Sequence, residues 1–143
     1  MENKVVCVER VFNAPRSLVW RALTEKELMK SWYFDLAEFE ARVGFTFEFE
    51  GGTEENKYLH LCEVSEVIVE QKLSYTWKYK GYEGVSLVSF ELFSEDNATR
   101  LKLTHTGIGS FPPIPDFAIH NFEQGWNQII NTSLTEFLSK HKQ

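Results

Sequence analysis

The fold is decided by the segment HNFEQGWNQIINTSLTEFL, residues 120–138, which has the apolar period of a long helix. At about 100° per residue, its apolar side chains line up along one face. The stripe comprises Ile119, Phe122, Trp126, Ile129, Ile130, Leu134 and Phe137. A stripe of this length needs a large apolar surface to cover it, so we expect the helix to lie across a sheet.

The same segment contains the pair Gly125-Trp126 in its interior. A glycine weakens a helix by about 1 kcal/mol relative to alanine. Two explanations remain open: a close approach of the helix to a strand or loop, or a point where the helix bends above a cavity. Glu123 is predicted to project near the stripe, where it either interacts with the helix dipole or lines a cavity.

The stretch from residue 35 to residue 106 has the period of strands instead of helices. Its alternating apolar residues include Phe45, Phe47 and Phe49, then Leu73, Tyr75, Trp77 and Tyr79. Short glycine-containing turns predict antiparallel hairpins, and the alternation predicts one buried face. A strand from Val5 to Phe12 and two short helices come first. We therefore predict an α+β fold in which a curved antiparallel sheet of about seven strands, in the order β-α-α-β6-α, wraps around a long C-terminal helix.

Length and charge restrict the classes of protein and partner. The 143 residues predict one domain spanning 1–143. The net charge is -6, and lysines and arginines do not cluster, which argues against nucleic acid and anionic membranes as partners. No segment is apolar for long enough to insert into a membrane, and no signal-peptide region precedes the first strand. We expect a cytoplasmic protein.

Few residues are candidates for chemistry. There is no phosphate-binding glycine loop, nucleophile elbow or dinucleotide fingerprint, so we predict no catalytic residues and no cofactor, and favour a protein that is not an enzyme.

His105 shares a strand face with leucines and is either a satisfied core histidine or a ligand contact. Glu63 either pairs with an arginine or lines a pocket. His60 and Cys62 share a face but lack further ligands, so we predict no metal site. Cys7 and Cys62 are both expected to be buried.

Several segments in order resemble a known superfamily. They are NAPRSLVWRALTEKELMKSW, TWKY, VSFEL, TRLKLTHTG and GWNQIINTSLTEFL. The chain resembles the START-like (SRPBCC, helix-grip) superfamily, and within it the bacterial branch related to the C-terminal domain of the heat-shock-protein-90 ATPase activator. The residues that match family markers are Ala14, Pro15, Val19, Trp20, Trp32, Thr99, Arg100, His105, Gly107, Gly125 and Trp126. The resemblance implies a cavity between the last helix and the sheet, which in other members binds lipids, sterols or polyketides.

Three functions are consistent with these patterns. The first is non-enzymatic binding of a small hydrophobic or amphipathic ligand, including lipids, in that cavity. Its predicted ligand-binding residues are Phe47, Tyr75, Trp77, Phe90, Leu103, Phe122, Trp126 and Ile130, with His105 or Glu123 as polar anchor. The second is a chaperone-modulating interaction module with a role in the stress response, whose partner is a chaperone. The third is a cyclase, aromatase or hydrolase that uses the same cavity and requires a polar dyad.

Overall fold

The computed structural model describes residues 5–33, 36–52 and 57–140. Its strands and early helices are β1 (Val6–Phe12), α1 (Arg16–Thr24), α2 (Lys26–Met29), β2 (Thr46–Gly52), β3 (Lys57–Ile68), β4 (Lys72–Tyr79), β5 (Ser86–Glu95) and β6 (Ala98–Thr106). The C-terminal helix follows as α3 (Ile119–Gln128), a π-helical segment (Ile129–Leu134) and α4 (Thr135–Lys140). Two short 3₁₀ turns, Ile108–Ser110 and Pro115–Phe117, lie between β6 and α3.

The strands form one antiparallel sheet in the order β1-β6-β5-β4-β3-β2. The α+β architecture with a curved sheet and a C-terminal helix is therefore confirmed. The count of about seven strands is wrong, because the described residues form six. The long strand β3 is a single element whose register shifts between Val64 and Glu66. Residues 36–45 run as an irregular connection, and Asp35 lies outside the described residues.

Alternation along the strands separates a buried face from an exposed one. In β6 the residues Thr99, Leu101, Leu103 and His105 are buried, and those between them are not. The register places Leu103 opposite Val8 on one side and Phe90 on the other. The buried faces of the strands therefore form one continuous apolar surface.

The C-terminal helix presents its predicted stripe to this surface. Phe122, Trp126, Ile130, Leu134 and Phe137 are all buried. The π-helical segment was not predicted, since an α-helical period was assumed throughout. Bonds of the i→i+5 type widen the turn at this point, and the stripe continues beyond it with Phe137 and Leu138 buried. Within the described ranges, no helix has both the length and the apolar character to span a membrane.

Gly125 is exposed and approaches neither a strand nor a loop. A Cβ atom built on it would meet nothing within 4 Å, so the close-approach explanation is wrong. Gly107 differs, because its φ is +83° and an added Cβ would lie 3.0 Å from the carbonyl oxygen of Val85. Gly107, unlike Gly125, therefore has a local steric reason to be glycine.

We expect Gly125→Ala to stabilise the folded protein by about 1 kcal/mol, because alanine is the better helix former and the added methyl meets no atom. Urea titration followed by circular dichroism measures the change. Gly107→Ala is the matched control and should destabilise, since its backbone conformation and its neighbours both disfavour a side chain. Loss of stability in Gly125→Ala would contradict the structural account of this helix.

Candidate functional site

Trp126 lies at the centre of the space between the C-terminal helix and the sheet. Its ring centroid is 5.6 Å from that of Trp77 on β4, 5.9 Å from that of Phe90 on β5 and 6.0 Å from that of His105 on β6. These distances are within the range of favourable aromatic contact. One helix side chain thus meets three neighbouring strands.

The structure brings together nine of the ten predicted ligand-binding residues. Those that are buried in this interior are Phe47, Tyr75, Trp77, Phe90, Leu103, His105, Phe122, Trp126 and Ile130. Their role in binding remains a prediction. The expected orientation of Glu123 is wrong, because its side chain is exposed. The apolar residues Phe122 and Trp126 on either side of it take the inward positions.

His105 is fully buried and bonded at both ring nitrogens. Trp126 Nε1 donates to His105 Nδ1 at 2.9 Å, and the other ring nitrogen, Nε2, lies 2.7 Å from Ser86 Oγ. Because an indole nitrogen only donates, Nδ1 must accept and Nε2 carries the proton. Ser86 Oγ then donates to the carbonyl oxygen of Trp77 at 3.0 Å. Burial lowers the pKa of His105 to about 3, so the imidazole is neutral at pH 7.

His60 is the second buried histidine of the interior. Its ring stacks on Phe49 at 4.6 Å and meets Trp77 at 4.9 Å and Tyr79 at 4.7 Å. Its Nδ1 donates to the carbonyl oxygen of Tyr58 at 3.0 Å. Burial lowers the pKa of His60 to about 4. In the part of the chain that is described, no group of three or more His, Cys, Asp or Glu side chains could hold a metal ion.

The two cysteines differ in exposure. Cys62 is buried near His60, whereas Cys7 is exposed, so the expectation that both are buried is wrong for Cys7. In β1 the buried residues are Val6, Val8 and Phe12, so Cys7 is on the opposite face of the strand. Burial raises the pKa of the Cys62 thiol and keeps it protonated.

We expect an alkylating reagent to modify one thiol of the folded protein and two thiols in denaturant, because the thiolate is the reactive form. Mass spectrometry after a short exposure to iodoacetamide at pH 8 counts the modified thiols. Folded Cys7→Ser should show no modification on the same timescale. Equally fast modification of Cys62 in the folded protein would contradict the burial described here.

Hydroxyl groups form a further polar pair inside the aromatic interior. Tyr33 and Tyr75 hydroxyls lie 2.7 Å apart. Trp77 Nε1 donates to the hydroxyl of Tyr79 at 2.9 Å. Burial raises the pKa of Tyr75 and Tyr79 well above the ordinary value of a phenol. These hydroxyls therefore remain neutral hydrogen-bonding groups.

The connection between β6 and α3 closes one end of this interior. Phe117 stacks on Tyr79 at 4.5 Å, and Phe111 stacks on Phe122 at 6.2 Å. The hydroxyl of Tyr58 donates to the carboxylate of Asp116. This hydrogen bond joins the start of β3 to the connection.

Comparison with known proteins establishes the family. The family described as Activator of Hsp90 ATPase homolog 1-like protein matches residues 13–139. The chain belongs to this family. The family is part of the START-like superfamily, so the sequence resemblance is confirmed. No curated protein matches the chain.

Solved structures of several other proteins share the fold of this Activator of Hsp90 ATPase homolog 1-like chain. Protein MLL2253 from Mesorhizobium loti has a TM-score of 0.82 and 28% identity, over 97% of this chain and 99% of its own. CalU16 from Micromonospora echinospora has a TM-score of 0.72 and 19% identity, over 96% and 85%. DynU16, from the dynemicin biosynthetic locus, has a TM-score of 0.81 and 21% identity, over 99% of this chain and 49% of its own, so this chain spans about half of DynU16.

Several residues that match family markers hold the fold together. Thr99 is fully buried, and its Oγ1 donates to the carbonyl oxygen of Ala14 at 2.8 Å, which joins β6 to the start of α1. Arg100 is on the outer face and bonds the carboxylates of Glu9 and Glu95. Glu63 is exposed, so it does not lie with the buried polar groups. These contacts explain structure more than ligand recognition.

The sequence interpretation missed Tyr33 and Ser86. Tyr33 follows a helix of only four residues, where no period indicates a direction. Ser86 occupies an inward position at the start of a strand. Only the alternation of β5, extended back from Val88 to residue 86, would have indicated that Ser86 faces the same side as the apolar residues.

Proposed function

We propose that the protein binds a small hydrophobic or amphipathic molecule, without chemical conversion, between the C-terminal helix and the sheet. The observation that carries the proposal is the aromatic interior around Trp126, with neutral polar groups set within it. Ligand sites are mostly apolar and contain a few positioned polar groups. This interior has that composition.

The rings of the interior form one connected set that a ligand entering it would contact. Rings contact one another without a break from Phe47 through Tyr75 and Phe90 to Trp126, with successive centroids 5.0, 6.0 and 5.9 Å apart. Such a surface offers stacking and edge contacts to a flat or extended apolar molecule. The apolar connection between β6 and α3 lies over one end and separates it from water.

The titratable side chains of the interior are either hydrogen-bonded within the protein or held protonated, which favours binding without catalysis. Both nitrogens of His105 are bonded within the protein, so neither is available to a substrate. Cys62 is held as a thiol, which is a poor nucleophile. Acid–base or nucleophilic catalysis needs a group with a matched pKa and a reachable atom. The polar groups of the described interior are therefore better suited to hydrogen bonding with a ligand than to transferring protons.

Titration of tryptophan fluorescence with fatty alcohols, sterols and polycyclic aromatics tests the proposal. We expect a saturable change for at least one class, because Trp77 and Trp126 both lie in the interior. Leu103→Ala should shift the dissociation constant several-fold. Leu87→Ala, on the opposite face of the sheet, should leave it unchanged. Absence of saturable binding across the panel would refute the proposal.

Family membership supports a second function, modulation of a chaperone ATPase in the cytoplasm. The outer face of the sheet exposes Leu87 at 38%, next to Val85 at 50%, and apolar side chains of this kind occur in protein interfaces. Leu87→Asp should then abolish retention of an Hsp90-type chaperone in a pull-down and its effect on the ATPase rate. An unchanged ATPase rate with the wild-type protein would exclude this function.

A further inference from the structure

Tyr33 inserts its ring between the C-terminal helix and the sheet. The ring is nearly parallel to that of Trp126, with centroids 6.2 Å apart and 18° between planes. It meets Phe49 at 6.1 Å, and its hydroxyl bonds that of Tyr75 on β4. A phenol from outside the sheet and the long helix thus occupies the centre of the aromatic interior.

The attachment of Tyr33 allows its side chain to move without its backbone. The preceding residue, Trp32, is buried, and its Nε1 donates to the carbonyl oxygen of Ala22 at 2.9 Å. The backbone nitrogen of Tyr33 donates to the carbonyl oxygen of Met29 at 2.7 Å. Tyr33 is only partly buried as a residue, although its hydroxyl is buried, so part of the residue reaches solvent at the edge of the interior. Rotation about its side-chain bonds would carry the ring out of the interior while the backbone stays in place.

None of the buried side chains that the structure describes carries a formal charge at pH 7. Among the described residues, the buried polar side chains apart from tyrosine and tryptophan are His60, Ser74, Ser86, Thr99 and His105. Burial and the neighbouring hydroxyl raise the pKa of Tyr33 and keep it protonated. An ionised carboxylate in such a place has no compensating partner, and its desolvation is costly. The interior therefore selects against anions.

We propose that Tyr33 is an internal occupant of the ligand site, and that the ligand is an uncharged ring bearing a hydroxyl or carbonyl group, which displaces Tyr33 and takes its hydrogen bond to Tyr75. This inference rests on the proposed function and specifies its ligand. Contacts of Tyr33 with the helix and the sheet indicate the chemistry: a flat face toward Trp126, a tilted ring near Phe49 and a polar atom at Tyr75.

Competition with Tyr33 predicts how the affinity responds to mutation. A site that is open for only a fraction of the time binds more weakly by that fraction. Truncation of Tyr33 removes the competitor and leaves a cavity lined by aromatic rings, and apolar cavities of this kind take up aromatic molecules. Loss of the Tyr75 hydroxyl leaves the space and removes the polar partner.

Isothermal titration at pH 7 with 2-naphthol, naphthalene and 2-naphthoate tests the inference. These probes share a ring system and differ in the polar group. We expect Tyr33→Ala to bind 2-naphthol at least tenfold more tightly than the wild type. In Tyr75→Phe the preference for 2-naphthol over naphthalene should disappear, and 2-naphthoate should bind at least tenfold more weakly than 2-naphthol in Tyr33→Ala. Tyr82→Phe, at an exposed tyrosine, is the matched control and should behave as the wild type.

The outcomes separate this inference from the proposed function. Equal affinity of 2-naphthol for wild type and Tyr33→Ala overturns the role of Tyr33. Equal affinity of 2-naphthoate and 2-naphthol overturns the selection against anions. In both cases binding itself persists. No binding of any of the three probes to any variant overturns this inference, whereas the proposed function fails only if the fatty alcohols, sterols and polycyclic aromatics also do not bind. If circular dichroism shows Tyr33→Ala unfolded, Tyr33→Phe replaces it, with an expected smaller rise in affinity of the same sign.

Discussion

Acidification from pH 6.5 to pH 4 is expected to unfold the protein, because two buried histidines must take up protons. The pKa is about 4 for His60 and about 3 for His105, both lowered by burial, against about 6.5 in an unfolded chain. The unfolded chain therefore binds more protons than the native state in this interval. Stability from the neutral imidazoles is complete above pH 6.5 and is lost as the pH falls.

The magnitude is large compared with the stability of a domain. Between its native and unfolded pKa values, each such histidine lowers the free energy of unfolding by about 1.4 kcal/mol for each pH unit of acidification. Two of them remove roughly 5–6 kcal/mol between pH 6.5 and pH 4, which is comparable to the free energy of unfolding of many proteins. Urea titrations at several pH values, followed by circular dichroism, measure the slope of the free energy of unfolding against pH directly.

Two variants test whether the buried histidines cause the dependence of stability on pH. His60→Phe keeps an aromatic ring among Phe49, Trp77 and Tyr79 and removes one titrating group, so the slope should fall to about half. His120→Gln, at an exposed position of α3, should leave the slope unchanged. If His60→Phe retains the full wild-type slope below pH 6.5, the assignment to the buried imidazole is incorrect.

Periodicity predicted most of the fold because burial follows it closely. The stripe of the C-terminal helix and the alternation in β6 both reappear as buried positions. The π-helical segment at Ile129–Leu134 escaped prediction, because a single widened turn changes the phase by less than a stripe's width. Glu123 was misplaced for a related reason: it lies next to the stripe in projection, and its charge favours water.

The candidate site was less predictable than the fold. A strand pattern indicates which residues face inward, but it does not pair them with residues far away in sequence. The hydroxyls of Tyr33 and Tyr75 meet across 42 positions, and Ser86 meets His105 across 19. Aromatic residues also give the same pattern whether they line a ligand site or fill a core.

Trp126→Ala is expected to destabilise the protein by more than about 4 kcal/mol. Truncation of a buried tryptophan costs about 3–5 kcal/mol through lost burial and the cavity left behind. Here the indole nitrogen is also the donor to His105 Nδ1, so truncation leaves a buried acceptor without its partner. An unsatisfied buried group costs about 1–3 kcal/mol more. Thermal and urea unfolding at pH 7.5 measure the total.

Trp126→Phe separates these two contributions, because it keeps an aromatic ring and removes the N–H group. His105→Leu removes the acceptor and leaves the indole donor unpaired in the same way. Each single variant therefore leaves one partner of this hydrogen bond unpaired, whereas the double variant removes both partners. The loss of the Ser86 contact is common to His105→Leu and the double variant, so it cancels in the comparison. We expect the double variant to be more stable than the sum of the single effects predicts, by about 0.5–3 kcal/mol. Additive effects would mean that the hydrogen bond between Trp126 and His105 adds nothing to ring packing, and that His105 is held in place by Ser86 alone.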